Sequence, residues 1–234
     1  MFLGHLIRNR HLLLTFDEEN LSCSIITPCA GIAPYALNAY QRYPLTHHEM
    51  MQLRMFNITA ISHHITAFIK SHNVQHAFVS CALSGPGITE LIMRAPEPRL
   101  SATMLLQQAP NPLIWDSCYL YPTDHALHTF YACGMPRELM LQYQILSRMA
   151  NITMSTLTSS WYAQLQLYKK IQGPAFRRVH LAQTLAKHHH SWNNLLNRDM
   201  LHRMIVIPPR YNHTEDLPHI RTALGLFIIG NSHG

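Results

Sequence analysis

The sequence predicts an α/β protein, because strand-like and helix-like segments alternate along most of the chain. The stretch from His125 to Ile171 shows the pattern most fully, with a strand, a tight turn, an amphipathic helix, a second strand and a second helix. In the first of these helices, Leu139, Tyr143, Leu146 and Ala150 recur every three or four residues, which places an apolar stripe on one face. Two strands joined by a helix need a sheet to lie on. We therefore interpret this stretch as the spine of the core.

Turn-forming residues set the boundaries of these elements. The strand His125–Cys133 stops at Gly134, and Pro136 suits the first position of a helix, where its missing N–H has no partner to lose. Asn151 tolerates the left-handed conformation that ends many helices. The alternation from Ile152 to Leu157 is typical of a half-buried strand.

The N-terminal part predicts an antiparallel meander followed by a long helix. The three strands of the meander are predicted at His11–Phe16, Leu21–Thr27 and Tyr35–Tyr43. The helix is predicted from Thr46 to Ser71, because Thr46 and Glu49 have the spacing of a capping box and apolar residues then keep a helical period.

The middle of the chain predicts a small β–α–β–β subdomain, which begins after a strand at His76–Ala82 and a Gly-Pro-Gly turn. Its first three elements are a strand at Ile88–Met93, a helix at Leu100–Gln108 and a strand at Ile114–Tyr121, and its last is the strand that ends at Cys133. In the C-terminal part, helices are predicted at 176–197 and Leu217–Ile229, with a short strand at Met204–Ile207 between them. The predicted domains are a first part of the core at 1–84, the inserted subdomain at 85–133, and a second part of the core at 134–234.

Composition narrows the class of protein. Of 234 residues, 47% are apolar, which is enough for a packed core, and only 13% are charged. The net charge of +6 comes without a dense basic run interleaved with aromatic residues, so we do not expect a nucleic-acid partner. The five cysteines form no C-x-x-C pair, and the N-terminus lacks the pattern of a signal peptide. We expect a cytoplasmic protein without a transmembrane segment.

Three segments carry a resemblance to a known family. They are FVSCALSGPGITELIMRAP (Phe78–Pro96), MPRELMLQYQILSRMANITMSTLTS (Met135–Ser159) and TALGLFIIG (Thr222–Gly230). Each resembles a segment of the PilM and HofM proteins of type IV pilus and competence assembly, and of the related cell-division protein FtsA. The resemblance implies an actin-like (RNase H-like) core with the inserted subdomain, its second half truncated.

The resemblance also implies a function. The chain would be a non-catalytic scaffold of a type IV pilus or type II secretion-like platform, peripheral at the inner face of the cytoplasmic membrane. The resemblance also leaves room for self-association. A PilN-type membrane partner would dock a short cytoplasmic segment in the groove between core and subdomain. Residues implied for this groove are Ile88, Arg94, Arg99, Tyr119 and Tyr121, with the two arginines contacting an acidic or carboxyl-bearing peptide.

A divergent ATPase is the competing hypothesis. Nucleotide-binding members of the family open with a DxG-type phosphate loop, in which an acidic residue holds the metal and glycine lets backbone N–H groups reach phosphate. The matching turn, TFDEENLS, has Asp17 but no glycine. If ATP and Mg were bound, Asp17 would hold the metal. We expect no cofactor, and we interpret the chain as a degenerate member of the family that acts as a scaffold and binds no nucleotide.

A third hypothesis is a metal-binding module, because the chain has 18 histidines. His72 and His76 straddle the predicted end of a helix, His125 and His128 fall on opposite faces of a strand, and 188–190 point in three directions around a helix. No pair has a carboxylate or thiolate at the spacing of a zinc site. Cys81 and Cys133 are candidate nucleophiles, but their positions inside predicted strands favour inert, buried thiols.

Overall fold

A six-stranded mixed sheet forms the centre of the fold. The computed structural model describes residues 11–74, 78–107, 113–122, 127–173 and 196–231. Its strands are β1 (His11–Phe16), β2 (Asn20–Pro28), β3 (Tyr35–Pro44), β4 (Met50–Met51), β5 (Arg54–Met55), β6 (Phe78–Leu83), β7 (Thr89–Ala95), β8 (Leu113–Pro122), β9 (His128–Pro136), β10 (Thr153–Ser159) and β11 (Ile205–Val206). Its helices are α1 (Ile58–Ser71), α2 (Ala102–Leu106), α3 (Arg137–Met149), α4 (Ser160–Gln172), α5 (Arg198–Met204) and α6 (Leu217–Asn231), with a 3-10 turn at Pro209–Tyr211.

The strand order of the large sheet is β10-β6-β1-β2-β3-β11. The first three strands form the predicted antiparallel meander, while β6 pairs in parallel with both β1 and β10. Parallel neighbours need a crossover, and the helices α1 and α3 supply it. The predicted α/β class is therefore confirmed.

Helices cover both faces of the large sheet. Along β1, Leu12 and Leu14 belong to the core cluster under α1 and α3, whereas Leu13 belongs to the cluster under α4 and α6. This is the two-residue alternation of a strand buried on both sides. In the cluster under α4 and α6, the backbones of these two helices are in contact at Gly225.

The predicted helix from Thr46 to Ser71 is wrong in its first part. Thr46 and Glu49 make one of the two capping-box contacts, in which the Thr46 backbone N–H donates to Glu49 Oε2 at 2.8 Å. The Glu49 N–H donates to the Thr46 backbone oxygen at 2.9 Å instead, which closes a turn. Gln52 and Leu53 have φ angles of 51° and 66°, the conformation of a two-residue hairpin loop, so β4 and β5 pair as a hairpin.

The helix α1 begins only at Ile58. Asn57 is its cap, and the side-chain oxygen accepts the N–H of Ala60 at 3.0 Å. From there the predicted period holds, and Ile61 and Phe68 are fully buried.

The stretch interpreted as the spine of the core divides between two sheets. β10 lies at the edge of the large sheet, but β9 is the middle strand of a separate three-stranded sheet with the order β7-β9-β8. Helix α3 therefore leads from one sheet to the other. Gly134 does not end β9, which continues to Pro136, and Pro136 is the residue before α3 rather than its first residue.

The small sheet and α2 follow the predicted order β–α–β–β. The assignment of 85–133 as a separate subdomain remains a prediction. The predicted helix at 176–197 lies almost entirely outside the described residues, whereas the helix at Leu217–Ile229 is confirmed as α6.

Candidate binding cleft

A cleft of about 210 Å³ lies between the small sheet and the core. Strand pairing explains its floor: Ile114 pairs with Met135 and Asp116 pairs with Cys133, so these four side chains share one face of the small sheet. Helices α3 and α4 and the end of β10 form the opposite wall. The cleft is lined by Ile114, Asp116, Ser117, Tyr131, Cys133, Met135, Met140, Leu157, Thr158 and Tyr162.

Tyr131 fixes the small sheet against the core. Its ring stacks on Trp161 and on Tyr162 of α4, with centroid distances of 4.7 Å and 5.5 Å. Its hydroxyl donates to Glu90 Oε1 at 2.6 Å and is also hydrogen-bonded to Ser159 Oγ. Burial raises the pKa of this phenol, and the nearby Glu90 carboxylate raises it further. Tyr131 is therefore uncharged, and its role is structural, because it holds the small sheet against α4.

The thiols of Cys133 in the cleft and Cys81 in the core are not activated. Burial raises the pKa of Cys133 to about 12, and the Glu90 carboxylate adds to that shift. Cys81 is fully buried in β6, which raises the pKa of its thiol as well. Because the thiolate is the nucleophile, neither cysteine is poised for catalysis at neutral pH.

The residues that the resemblance implied for the groove lie on or beside the small sheet, and three of them, Arg94, Tyr119 and Tyr121, are strand positions farther along it than Met135. Arg94 is exposed and pairs with Thr129, and Tyr121 pairs with Thr129 from the other side, so the register brings these two strand positions near one another. Arg99 is exposed beyond the end of β7, while Ile88 packs partly buried against the core. Tyr119 pairs with Phe130, one position along. Ile88, Arg94 and Arg99 are not among the described residues that line the cleft, and the binding role of all five stays a prediction.

Sequence reasoning missed the residues that do line the cleft. Tyr131, Cys133 and Met135 alternate along β9, and Ile114 and Asp116 alternate along β8. This alternation marks one face of each strand. Which face meets the core depends on how the paired strands pack against α3, α4 and β10, and no local pattern shows that packing.

Asp17 is held by its own turn. Its Oδ1 accepts the backbone N–H of Glu19 at 2.8 Å and of Asn20 at 2.7 Å. Its Oδ2 lies 3.4 Å from Nε2 of His219, and the other ring nitrogen of His219 lies 3.4 Å from the Thr15 hydroxyl. Asp17 thus caps the β1–β2 turn and ties it to α6.

The glycine turn after β6 is closely packed. A side chain at Gly85 would meet Glu18 and Leu53 at 3.2 Å and 3.3 Å, and one at Gly87 would meet the backbone oxygen of Gln52 at 2.9 Å. The tip of the β4–β5 hairpin therefore fills the space beside the turn. An anion would have to displace this hairpin to reach the turn's backbone.

No three His, Cys, Asp or Glu side chains of the described residues are grouped to hold a metal ion. His72 lies at the end of α1, where its Nδ1 is 3.0 Å from the backbone oxygen of Phe68. His76, His125 and 188–190 lie outside the described residues.

Comparisons with known proteins give a fold but no sequence relative. No protein-family profile matches the chain, and no curated protein sequence matches it. Among solved structures, the chain is similar to a PilM-PilN type IV pilus biogenesis complex, with 13% identity, a TM-score of 0.60, and coverage of 95% of this chain and 99% of that chain.

A second similarity is weaker. It is to the cytoplasmic domain of EpsL, an inner-membrane component of the type II secretion system of Vibrio cholerae. The identity is 10%, the TM-score is 0.42, and the match covers 66% of this chain and 57% of that chain. A TM-score below 0.5 does not establish a shared fold. No helix in the described part of the chain has the length and apolar character to span a membrane.

The near-complete match at a TM-score of 0.60 confirms the expected fold, although 13% identity extends the likeness no further than the fold. The chain has the actin-like α/β fold of the PilM type.

Proposed function

We propose that this chain is a non-catalytic scaffold of a type IV pilus or type II secretion-like inner-membrane platform. It acts by binding a short cytoplasmic segment of a PilN-type membrane partner. The segment lies in the cleft between the small sheet and the core, and the platform holds the chain at the inner face of the cytoplasmic membrane.

The observation that carries this proposal is the cleft itself, in a fold shared with a protein solved in a PilM-PilN complex. Tyr131 stacks between sheet and core, so the cleft is built before any partner arrives. A preformed site does not pay the entropy of ordering its own walls when a segment binds.

The lining suits a peptide better than a small polar metabolite. Ile114 and Met135 on the floor and Met140 and Leu157 on the opposite wall offer apolar contacts for one or two apolar side chains. Asp116 at the rim has an exposed carboxylate that can accept N–H groups of the segment. Arg94 and Arg99, together with Ile88, Tyr119 and Tyr121, would extend the contact along the small sheet, the arginines toward carboxylates of the partner.

The divergent ATPase stays the alternative, and two features of the described residues oppose it. The Asp17 carboxylate is used by its own turn and by His219. Glu18 and Leu53 pack against Gly85, the glycine that could otherwise admit a phosphate. ATP binding would require both contacts to be broken.

The test uses the cytoplasmic segment of the PilN-type protein from the same cell, titrated calorimetrically into the full chain. Ile114→Arg places a charge in the cleft and should weaken binding by about tenfold or more. The matched control is Ile32→Arg, which adds the same charge at a fully exposed isoleucine away from the cleft. Equal affinity of both variants and the original chain would overturn the cleft as the site.

A further inference from the structure

The outer face of helix α3 is apolar. Leu141, Ile145 and Met149 are 43%, 44% and 46% exposed, although α3 already buries Leu139 and Tyr143 on its inner face. Residues spaced by four lie above one another, so the three exposed side chains form one stripe along the helix. A helix at the surface of a protein normally turns polar residues outward. The stripe therefore indicates a contact surface.

The β4–β5 hairpin extends this surface. The side chain of Gln142 fixes the hairpin to α3, since it accepts the backbone N–H of Met55 at 2.9 Å and donates to the Met55 carbonyl at 3.2 Å. On the hairpin, Met51 is 48% exposed, and Phe56 directly after it is 60% exposed. We call these five exposed side chains of α3 and the hairpin the α3 face.

Charges around the α3 face are mostly positive. Arg54 on the hairpin and Arg137 and Arg148 on α3 are exposed, against one exposed acidic residue of α3, Glu138. No ion pair among the described residues involves any of the three arginines. A second copy of this chain would bring three arginines against three, with one glutamate from each copy to offset them, so the net charge disfavours self-association through this face.

We propose that the α3 face binds the surface of a membrane rich in anionic lipid. Leu, Ile, Met and Phe side chains enter the boundary between head groups and acyl chains, and the arginines pair with lipid phosphates. The match is one of charge as well as polarity, because anionic head groups attract basic residues that lie beside an apolar surface. The lipid contact is a property of this chain alone and does not depend on the cleft or on a partner.

The experiment is sedimentation of the full chain with vesicles of phosphatidylcholine alone, and with vesicles in which about one third of the lipid is phosphatidylglycerol. We expect binding to the anionic vesicles only, and weaker binding as salt is raised. Leu141→Gln, Ile145→Gln and Met149→Gln together should reduce the partition coefficient about tenfold or more. Arg137→Gln with Arg148→Gln should reduce it about fivefold for each charge removed.

The matched control is Ile32→Gln with Val206→Gln, which removes two other exposed apolar side chains. These changes should leave vesicle binding as it was, and circular dichroism checks that every variant is folded. No binding to anionic vesicles, or an equal loss in the control, would overturn the proposal. A dimer in light scattering that the triple variant converts to a monomer would also overturn it, and would assign the face to self-association. Peptide binding in the cleft is measured in a separate experiment, so the lipid proposal can fail without the cleft proposal failing, and the reverse.

Discussion

Replacing Gly225 by alanine should separate the two helices that cover one face of the large sheet. The added Cβ would lie 2.0 Å from the backbone oxygen of Ala163 and 2.4 Å from its carbonyl carbon. Because van der Waals contact requires about 3.5 Å, α6 and α4 would have to move apart by roughly 1 Å or more. The obstacle is backbone, so no rotamer change relieves it.

The size of the stability loss follows from the packing that is disturbed when α6 and α4 move apart. Overpacking of a core costs about 1–3 kcal/mol and more where the backbone must shift. Leu165 and Leu224, one on each helix, are fully buried in the affected cluster. We expect a loss of about 3 kcal/mol in the free energy of unfolding, which for a chain of this size lowers the Tm by about 6–12 °C.

Gly230→Ala in the same helix is the matched control. Its Cβ would lie 3.4 Å from the His11 ring, which is ordinary contact with a side chain. Alanine is favoured over glycine in a helix by about 1 kcal/mol, so this variant should be as stable as the original chain or slightly more stable. Both are measured by urea and thermal unfolding. If Gly225→Ala unfolds at the same temperature as Gly230→Ala, the described contact between α6 and α4 is wrong.

Three further predictions concern the hydroxyl of Tyr131, the pKa of His219 and the binding of Mg-ATP. Tyr131→Phe leaves Glu90 and Ser159 without the phenol hydroxyl and should cost about 1–3 kcal/mol in urea unfolding; an unchanged midpoint would contradict the role given to Tyr131. Burial lowers the pKa of His219 from its ordinary 6.5, an effect that outweighs the opposing attraction of Asp17. The unfolded chain then binds a proton that the folded chain lacks, so this contribution to stability is fully present above pH 6.5 and is lost as the pH falls below it. His219→Asn should flatten the dependence of the Tm on pH in that window. An unaltered slope would show that other groups cause the pH dependence. Millimolar Mg-ATP should leave the Tm unchanged; a shift of several degrees that Asp17→Asn abolishes, while keeping the cap of the turn, would restore the ATPase hypothesis.

Local patterns predicted most elements of the fold. Alternation, helical period and turn residues predict the meander, the strands of the small sheet with its helix, α3 and α6. Asn151 has the predicted positive φ of 53° at the end of α3. These features depend on contacts within a few residues, and a sequence shows such contacts directly.

The errors arose where a distant contact decides the structure. Leu53 has a positive φ that its residue type does not indicate, and it is held there by burial against the turn after β6. Strand β9 pairs with β7 and β8, as the predicted β–α–β–β order has it, so it is the interpretation of His125–Ile171 as one spine that is wrong. The cleft was not predicted because its lining comes from five successive elements, β8 to α4, and their packing against one another is not visible in any local pattern.

The location of the partner segment tests the central claim most directly. A photo-crosslinking amino acid placed at Ile114 points into the cleft, whereas the same amino acid at Ile32 stands on an exposed loop outside it. On irradiation with the cytoplasmic segment of the PilN-type partner, the account predicts a crosslinked product from position 114 and none from position 32. A product from position 32 alone, or equal products from both, would contradict the assignment of the cleft as the binding site.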